Sequence, residues 1–201
     1  MIAAPALRIV LLAAGLAAAC AFDARAAQAA PAPADKPAAA APDGQHDFDW
    51  EIGAWKTEVS RRQRPLSGSE TWVELKGTTV VRKLFDGRAN IAELDIAGAS
   101  GRIQGIALRL YEPQSRQWSI NYASLGSGTL TAPISGGFKD GRGEFFGRDT
   151  LGDRPIRVRF VIHCATRDVC RFEQAYSADE GKSWELNWIA TDTRIADSTP
   201  R

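Results

Sequence analysis

An antiparallel, up-and-down β-barrel of about ten strands, with a short helical plug at its N-terminal end, is the all-β fold this sequence predicts. Three observations carry that expectation. Short alternating runs follow one another from Trp55 to Thr191 with Gly, Asp, Asn and Pro between them, and no segment holds a helical period. Two cysteines, Cys164 and Cys170, flank the short loop Ala165 to Val169 between two of these runs. A turn signature from Ser177 to Trp184 then joins the second run to a third. A sheet of about ten strands can close on itself, and closure removes the exposed edges it would otherwise have to protect.

The chain begins with a single positive charge, Arg8, ahead of an apolar run from Ile9 to Ala21 that is too short to span a bilayer as a helix. This pattern predicts a secretory signal peptide over 1–26. Two cleavage patterns are present: Ala24-Arg25-Ala26 fits the small-x-small rule, and Ala17-Ala18-Ala19-Cys20 resembles a lax lipoprotein box that would lipidate Cys20. Residues 27–45 are dominated by Ala and Pro and predict an extended, disordered tether. A single barrel domain is expected over 46–196, with a short tail at 197–201. The formal net charge of the whole chain is +1, and loss of the leader leaves it close to neutral. Electrostatic binding to nucleic acid or to an anionic membrane is therefore not indicated, and a lipid at Cys20 is the one membrane attachment the sequence suggests.

The folded part should open at His46-Asp47-Phe48-Asp49-Trp50-Glu51-Ile52. His46, Asp47, Asp49 and Glu51 offer ligand atoms but not convergent ones, since the aromatics Phe48 and Trp50 alternate with them, so the run is read as a helical turn plugging the barrel. Gly53-Ala54-Trp55 follows at the start of the first strand, and Arg194 ends the last. A helical turn followed by Gly-x-Trp resembles the lipocalin and wider calycin signature, in which a terminal Arg often packs on the Trp. The resemblance implies a structural closure by Gly53, Trp55 and Arg194, with a cation on an aromatic face. Further stretches, Asp47-Phe48-Asp49, Leu108-Arg109-Leu110-Tyr111, Arg116-Gln117-Trp118-Ser119, Gly141 to Phe145 and Ser177 to Trp188, resemble a group of uncharacterised exported bacterial lipocalin-like proteins. That group implies a fold and no activity.

Strands are then expected at Trp55–Arg61, Glu70–Lys76, Thr78–Phe85, Asn90–Ala97, Ile103–Leu110, Gln117–Ala123, Gly128–Ile134 and Gly143–Thr150, before the final three. The basic cluster Arg61, Arg62 and Arg64 has no interleaved aromatics and is read as a solvated loop. A turn through Glu112 to Arg116 would pair Leu110 with Trp118 and Leu108 with Ile120, placing both apolar rows on one side and Arg109 and Asn121 in solvent.

In an exported chain, Cys164 and Cys170 predict a disulfide, with free thiols or metal ligands as the alternatives. Pairing them sets Ile162 opposite Phe172, Phe160 opposite Gln174 and Val158 opposite Tyr176, an apolar face that must point inward. The other face carries Arg157, Arg159, His163, Arg171 and Glu173, with Arg159 and Glu173 placed for an ion pair. Ser177-x-Asp179-x-Gly181-x-Ser183-Trp184 matches the Asp-box hairpin pattern. Asp179 there accepts backbone N–H bonds, Gly181 takes a positive φ and Trp184 packs beneath, a turn that carries no function of its own. Its spacing pairs Tyr176 with Trp184, Gln174 with Leu186 and Phe172 with Trp188.

The expected interior thus holds Trp118, Tyr122, Phe160, Phe172, Gln174, Tyr176, Leu186 and Trp188. Of these, Trp118, Tyr122, Phe160, Gln174, Tyr176 and Trp188 are the candidate ligand contacts. The functional expectation is a barrel holding a small apolar or aromatic ligand. The alternatives are a filled-barrel envelope module and, less favoured, an enzyme acting on a small lipid-like metabolite through Glu173, Glu144 or Asp149. There is no Gly-x-Ser-x-Gly elbow, His-rich metal spacing or phosphate-binding Gly loop, so no catalytic residue and no metal site is assigned. No cofactor is implied either, because haem would need an inward axial ligand and neither His46 nor His163 is placed as one.

Overall fold

The computed structural model describes residues 43–195. The leader, Cys20, most of the tether and the 197–201 tail lie outside the described residues. A 3-10 turn at Asp49–Glu51 precedes strands β1 (Gly53–Arg62), β2 (Trp72–Leu84), β3 (Ala89–Gly98), β4 (Gly101–Glu112), β5 (Gln117–Ser124) and β6 (Thr129–Leu130). These are followed by β7 (Ile134–Lys139), β8 (Arg142–Leu151), β9 (Arg154–Thr166), β10 (Val169–Ser177) and β11 (Glu185–Arg194). All pairings are antiparallel, β1 joins β11, and β4 pairs with β5, so ten strands close into an up-and-down barrel with the two-residue β6 flanking β5.

Two expected strands merge. Gly77 reads in sequence as a break, yet it sits mid-β2 opposite Thr57 and Ile96, where a Cβ would lie 2.0 Å from the Asp95 carbonyl oxygen. Glycine marks a close backbone approach there, not a strand end. One expected strand divides: Gly128–Ile134 is β6, then Thr131 to Pro133 outside any strand, then β7 running on to Lys139. Pro133 has no N–H to give a ladder, which accounts for the gap.

The hairpin of β9 and β10 pairs Cys164 with Cys170, Ile162 with Phe172, Phe160 with Gln174 and Val158 with Tyr176. Cys164 and Cys170 are joined as a disulfide. The register of β4 on β5 differs from expectation by one residue. Tyr111 faces Trp118 and Arg109 faces Ile120, because the connection is a four-residue loop with Arg116 at φ 55°, tightened by Glu112 accepting from the backbone N–H groups of Gln114 and Ser115. A slip of one exchanges the two faces of a strand. Leu110 is therefore 44% exposed and Arg109 only 7%. Gly105 now lies inward and leaves room for Tyr122, whose ring would meet any Cβ placed there.

The β10–β11 pairing also departs from expectation. Tyr176 faces Glu185, Ala175 faces Leu186, Gln174 faces Trp188 and Phe172 faces Ala190, with Asn187 the extra residue of a bulge. Trp188 keeps its inward side, whereas Leu186 and Trp184 lose the places expected for them.

Phe48 plugs one end of the barrel, its ring 5.0 Å from Trp118, 4.9 Å from Phe138 and 5.9 Å from Phe145. Beside it the guanidinium of Arg194 lies 4.0 Å over the Trp55 ring and donates to the carbonyls of Ile52 and Trp50. The Trp55 indole donates to the Glu51 carbonyl at 2.7 Å, tying the plug to β1. Gly53, at φ 132°, makes the bend between plug and strand.

Candidate functional site

The barrel encloses a cavity of about 510 Å³, running from the plug to the opposite mouth. Alternation along each strand decides what lines it. Tyr122 on β5, Phe160 on β9, Gln174 and Tyr176 on β10 and Trp188 on β11 face it, and each is half-buried, as a side chain bordering an enclosed space should be. Phe160 and Phe172 meet edge to face at 4.9 Å across the two disulfide-linked strands. Burial raises the phenol pKa of Tyr122 and of Tyr176 above the ordinary value, with Asp149 adding to the rise at Tyr176 and Arg61 opposing it at both.

Trp118 is not among the lining residues, contrary to expectation. It is almost fully buried under the plug, its indole donating to the Gly44 carbonyl at 2.9 Å and its ring 5.4 Å from Tyr111. Residue parity puts it inward, but the plug covers it. Leu186 is likewise absent from the lining, because the bulge at Asn187 turns it off the inward row. The amide of Gln174 donates to Asn187 Oδ1 of the bulge at 2.8 Å, and the Gln174 side chain also hydrogen-bonds Tyr176.

Charged groups missed in the sequence form the floor of the cavity. Arg109 makes a two-point ion pair with Glu51 of the plug, with Nη2 to Oε1 at 3.0 Å, and its Nη1 also donates to Asn90 Oδ1 at 3.3 Å. Its guanidinium lies 4.5 Å from the centre of the Phe48 ring. Next to this pair Thr57 donates to Asp192 Oδ1 at 2.5 Å, and Thr57 and Thr79 hydroxyls are 2.7 Å apart. Burial pushes the Asp192 carboxyl up to about 6; the Thr57 hydrogen bond works against the rise, Glu51 reinforces it, and Arg109 counters it. A sequence signal for Asp192 existed: Trp188, Ala190 and Asp192 share one side of β11 once the alternation is carried past Trp188.

At the mouth, Arg61 and Asp149 join the lining. Arg61 therefore does not belong wholly to a solvated loop, and Arg62 departs from that expectation too. Its guanidinium lies 4.9 Å over Trp72 and bonds the carbonyls of Leu186 and Ser69. Glu173 and Glu144 sit on outward rows, each in an ion pair on its own strand, with Arg171 at 2.7 Å and Arg142 at 3.2 Å. Arg159 does not pair with Glu173; its guanidinium lies 4.9 Å over the Trp184 ring on the outside. In the turn before Trp184, Asp179 accepts from the Ser183 N–H at 2.9 Å and Ser177 Oγ from Gly181 N–H at 2.8 Å, with Gly181 at φ 91°. Among the described residues no three His, Cys, Asp or Glu side chains converge as metal ligands, and two acids of the plug are engaged: Asp49 with His46 and Lys83, Glu51 with Arg109.

No family model matches the sequence, and no curated protein matches it in sequence. Among solved structures the chain is similar to the S-type phycobiliprotein lyase CPES from Guillardia theta, with a TM-score of 0.53 and 13% identity, covering 77% of this chain and 93% of that one. At that identity the likeness is one of fold, a closed lipocalin-like barrel.

Proposed function

We propose that this protein binds a small molecule with an apolar or aromatic body inside the barrel. The observation that carries the reading is the cavity of about 510 Å³ walled by aromatic faces that remain half-buried. A volume of that size suits a small organic ligand and weighs against a filled-barrel module. The structural likeness to a phycobiliprotein lyase supports the barrel and transfers no lyase activity. The same proposal includes export: the leader pattern supports it, as does the Cys164–Cys170 disulfide, a bond that persists in oxidising compartments. Cys20 lipidation is kept as the alternative to a soluble exported form.

Titration of intrinsic tryptophan fluorescence with fatty acids, hydrophobic dyes and haem tests the binding reading, with Trp188 as the reporter in the lumen. Saturable quenching by at least one class, reduced in Trp188→Phe while a stoichiometric complex still forms, is the expected result, since Trp50 and Trp55 also line the lumen. Absence of a saturable signal and of any complex for every class would remove the reading.

One observation favours a second reading, catalysis on the bound molecule. Asp192 is a carboxyl facing an enclosed space with its pKa moved to about 6, the range in which an acid–base group works near neutral pH. Its test is whether a molecule extracted from protein made in its own host is chemically altered by the wild type and left intact by Asp192→Asn.

A further inference from the structure

The floor of the lumen is unlike its walls. Its three charged side chains are Glu51 from the plug, Arg109 from β4 and Asp192 from β11. Glu51 and Arg109 neutralise each other through two hydrogen bonds. An ionised Asp192 therefore leaves a single negative charge facing enclosed space. Arg194, two residues further along β11, is turned over Trp55 and bonded to the carbonyls of Trp50 and Ile52, with Asp168 as its ion-pair partner. Cys170, the residue opposite Asp192 on β10, is held in the disulfide and does not titrate. Among the described residues no cation forms an ion pair with Asp192, and Arg109, which lowers the pKa of that carboxyl from nearby, is already paired with Glu51.

Hydrogen-bond polarity sharpens the point. A hydroxyl has one proton to give and lone pairs to receive. Thr57 gives its proton to Asp192 Oδ1, so the Thr57–Thr79 bond must be donated by Thr79. Thr79 also lines the cavity, and what it has left to offer is an acceptor. The Trp55 indole N–H is used by the Glu51 carbonyl, and both terminal nitrogens of Arg109 are used by Glu51 and Asn90. Arg109 Nε has no partner, yet it is shut away from the cavity surface. With Asp192 ionised, the floor presents acceptors and a negative charge, and the Thr57, Thr79 and Trp55 donors are all used within the protein.

We propose that this floor is a subsite for a protonated amine, seated on Asp192 and Thr79 with its apolar or aromatic body against Phe160, Phe172 and Trp188. The assignment rests on the lumen being a ligand site and names the ligand class for it. A carboxylate head would meet the Asp192 charge with no cation free to receive it. A protonated amine supplies the missing donors and the missing charge together, and it does so in an enclosed space where charge-assisted hydrogen bonds are strongest.

A matched trio tests the assignment: 2-(1-naphthyl)ethylamine, 2-(1-naphthyl)ethanol and 1-naphthaleneacetic acid share a ring body and differ in the head group. Isothermal titration at pH 8 should show the amine binding about tenfold more tightly than the alcohol, the difference expected between a charge-assisted and a neutral hydrogen bond. The acid should bind most weakly. On lowering the pH to 5 the amine should lose about tenfold, because Asp192, with its carboxyl near 6, is then mostly protonated, while the alcohol should change little. Asp192→Asn should erase the preference for the amine and its pH dependence. The wild-type pH comparison stands by itself if that variant does not fold. Equal binding of amine and alcohol, or tightest binding of the acid, overturns the amine subsite and leaves the lumen as a ligand site. Binding by none of the three overturns both.

Discussion

At the scale of single residues, two buried charges carry separable consequences. Asp192 has its carboxyl raised in the fold from the ordinary range to about 6, so the native state holds this proton more tightly than the unfolded chain does. Its contribution is therefore most favourable below the unfolded pKa, is lost as the pH rises towards 6, and stays lost above that. The shift corresponds to ~3 kcal/mol at most, since each pKa unit is about 1.4 kcal/mol. Urea melts of Asp192→Asn and wild type across pH 4 to 8 should show the variant gaining on the wild type up to about pH 6 and holding its gain beyond. Parallel curves would contradict the burial that raises this group. Arg109 behaves differently because its partner is buried with it. Arg109→Ala strands Glu51 and should cost roughly 3–5 kcal/mol by urea melt, with part of the loss restored when Glu51→Gln is added. A double variant no better than the single one would mean that the guanidinium acts through its packing on Phe48 instead.

At the scale of elements, the β9–β10 hairpin is the best-defined unit because a covalent bond and an inward aromatic row agree on one register. The disulfide closes a small loop, so its removal in Cys164→Ser with Cys170→Ser should cost only about 2 kcal/mol of unfolding free energy. Loss of the whole fold on reduction would show that the bridge does more than hold this hairpin. The turn after β10 is held by Ser177 and Asp179, and the Ser183 backbone and side-chain bonds keep the Asp179 carboxylate ionised well below the usual range. Asp179→Ala should speed amide exchange at Gly181 and Ser183 and leave ligand binding in the lumen unchanged, because the turn lies on the outside of the sheet. The β4–β5 hairpin was the least legible element: a loop of four residues and one of five both fit Glu112 to Arg116, and they put opposite faces of β4 inside. The residue that separates them is Glu51, whose ion pair with Arg109 spans 58 positions in the sequence.

At the scale of the whole molecule, closure of the sheet creates the lumen and the plug determines its depth. Phe48 is nearly inaccessible and touches rings from β5, β7 and β8, so it packs the plug onto three adjoining strands of the barrel wall. Phe48→Ala should cost about 3–5 kcal/mol in urea melts. It should also expose Trp118 to acrylamide quenching, which the wild-type plug prevents. A variant with unchanged quenching would show that the segment before β1 does not seal that end.

The sequence by itself determined the class of fold, most strand positions, the β9–β10 register and the inward row of Phe160, Phe172, Gln174, Tyr176 and Trp188. Those follow from alternation and from a cysteine pair close together in the chain, both local properties. Only the tertiary structure decided that Arg109 lies inside and Leu110 outside, that Trp118 serves the plug instead of the lumen, and that Asp192 stands on the cavity floor beside Thr57. Alternation names two rows on a strand without saying which one faces in; that is settled by partners from distant strands, and for β4 the partner is a carboxylate on the plug.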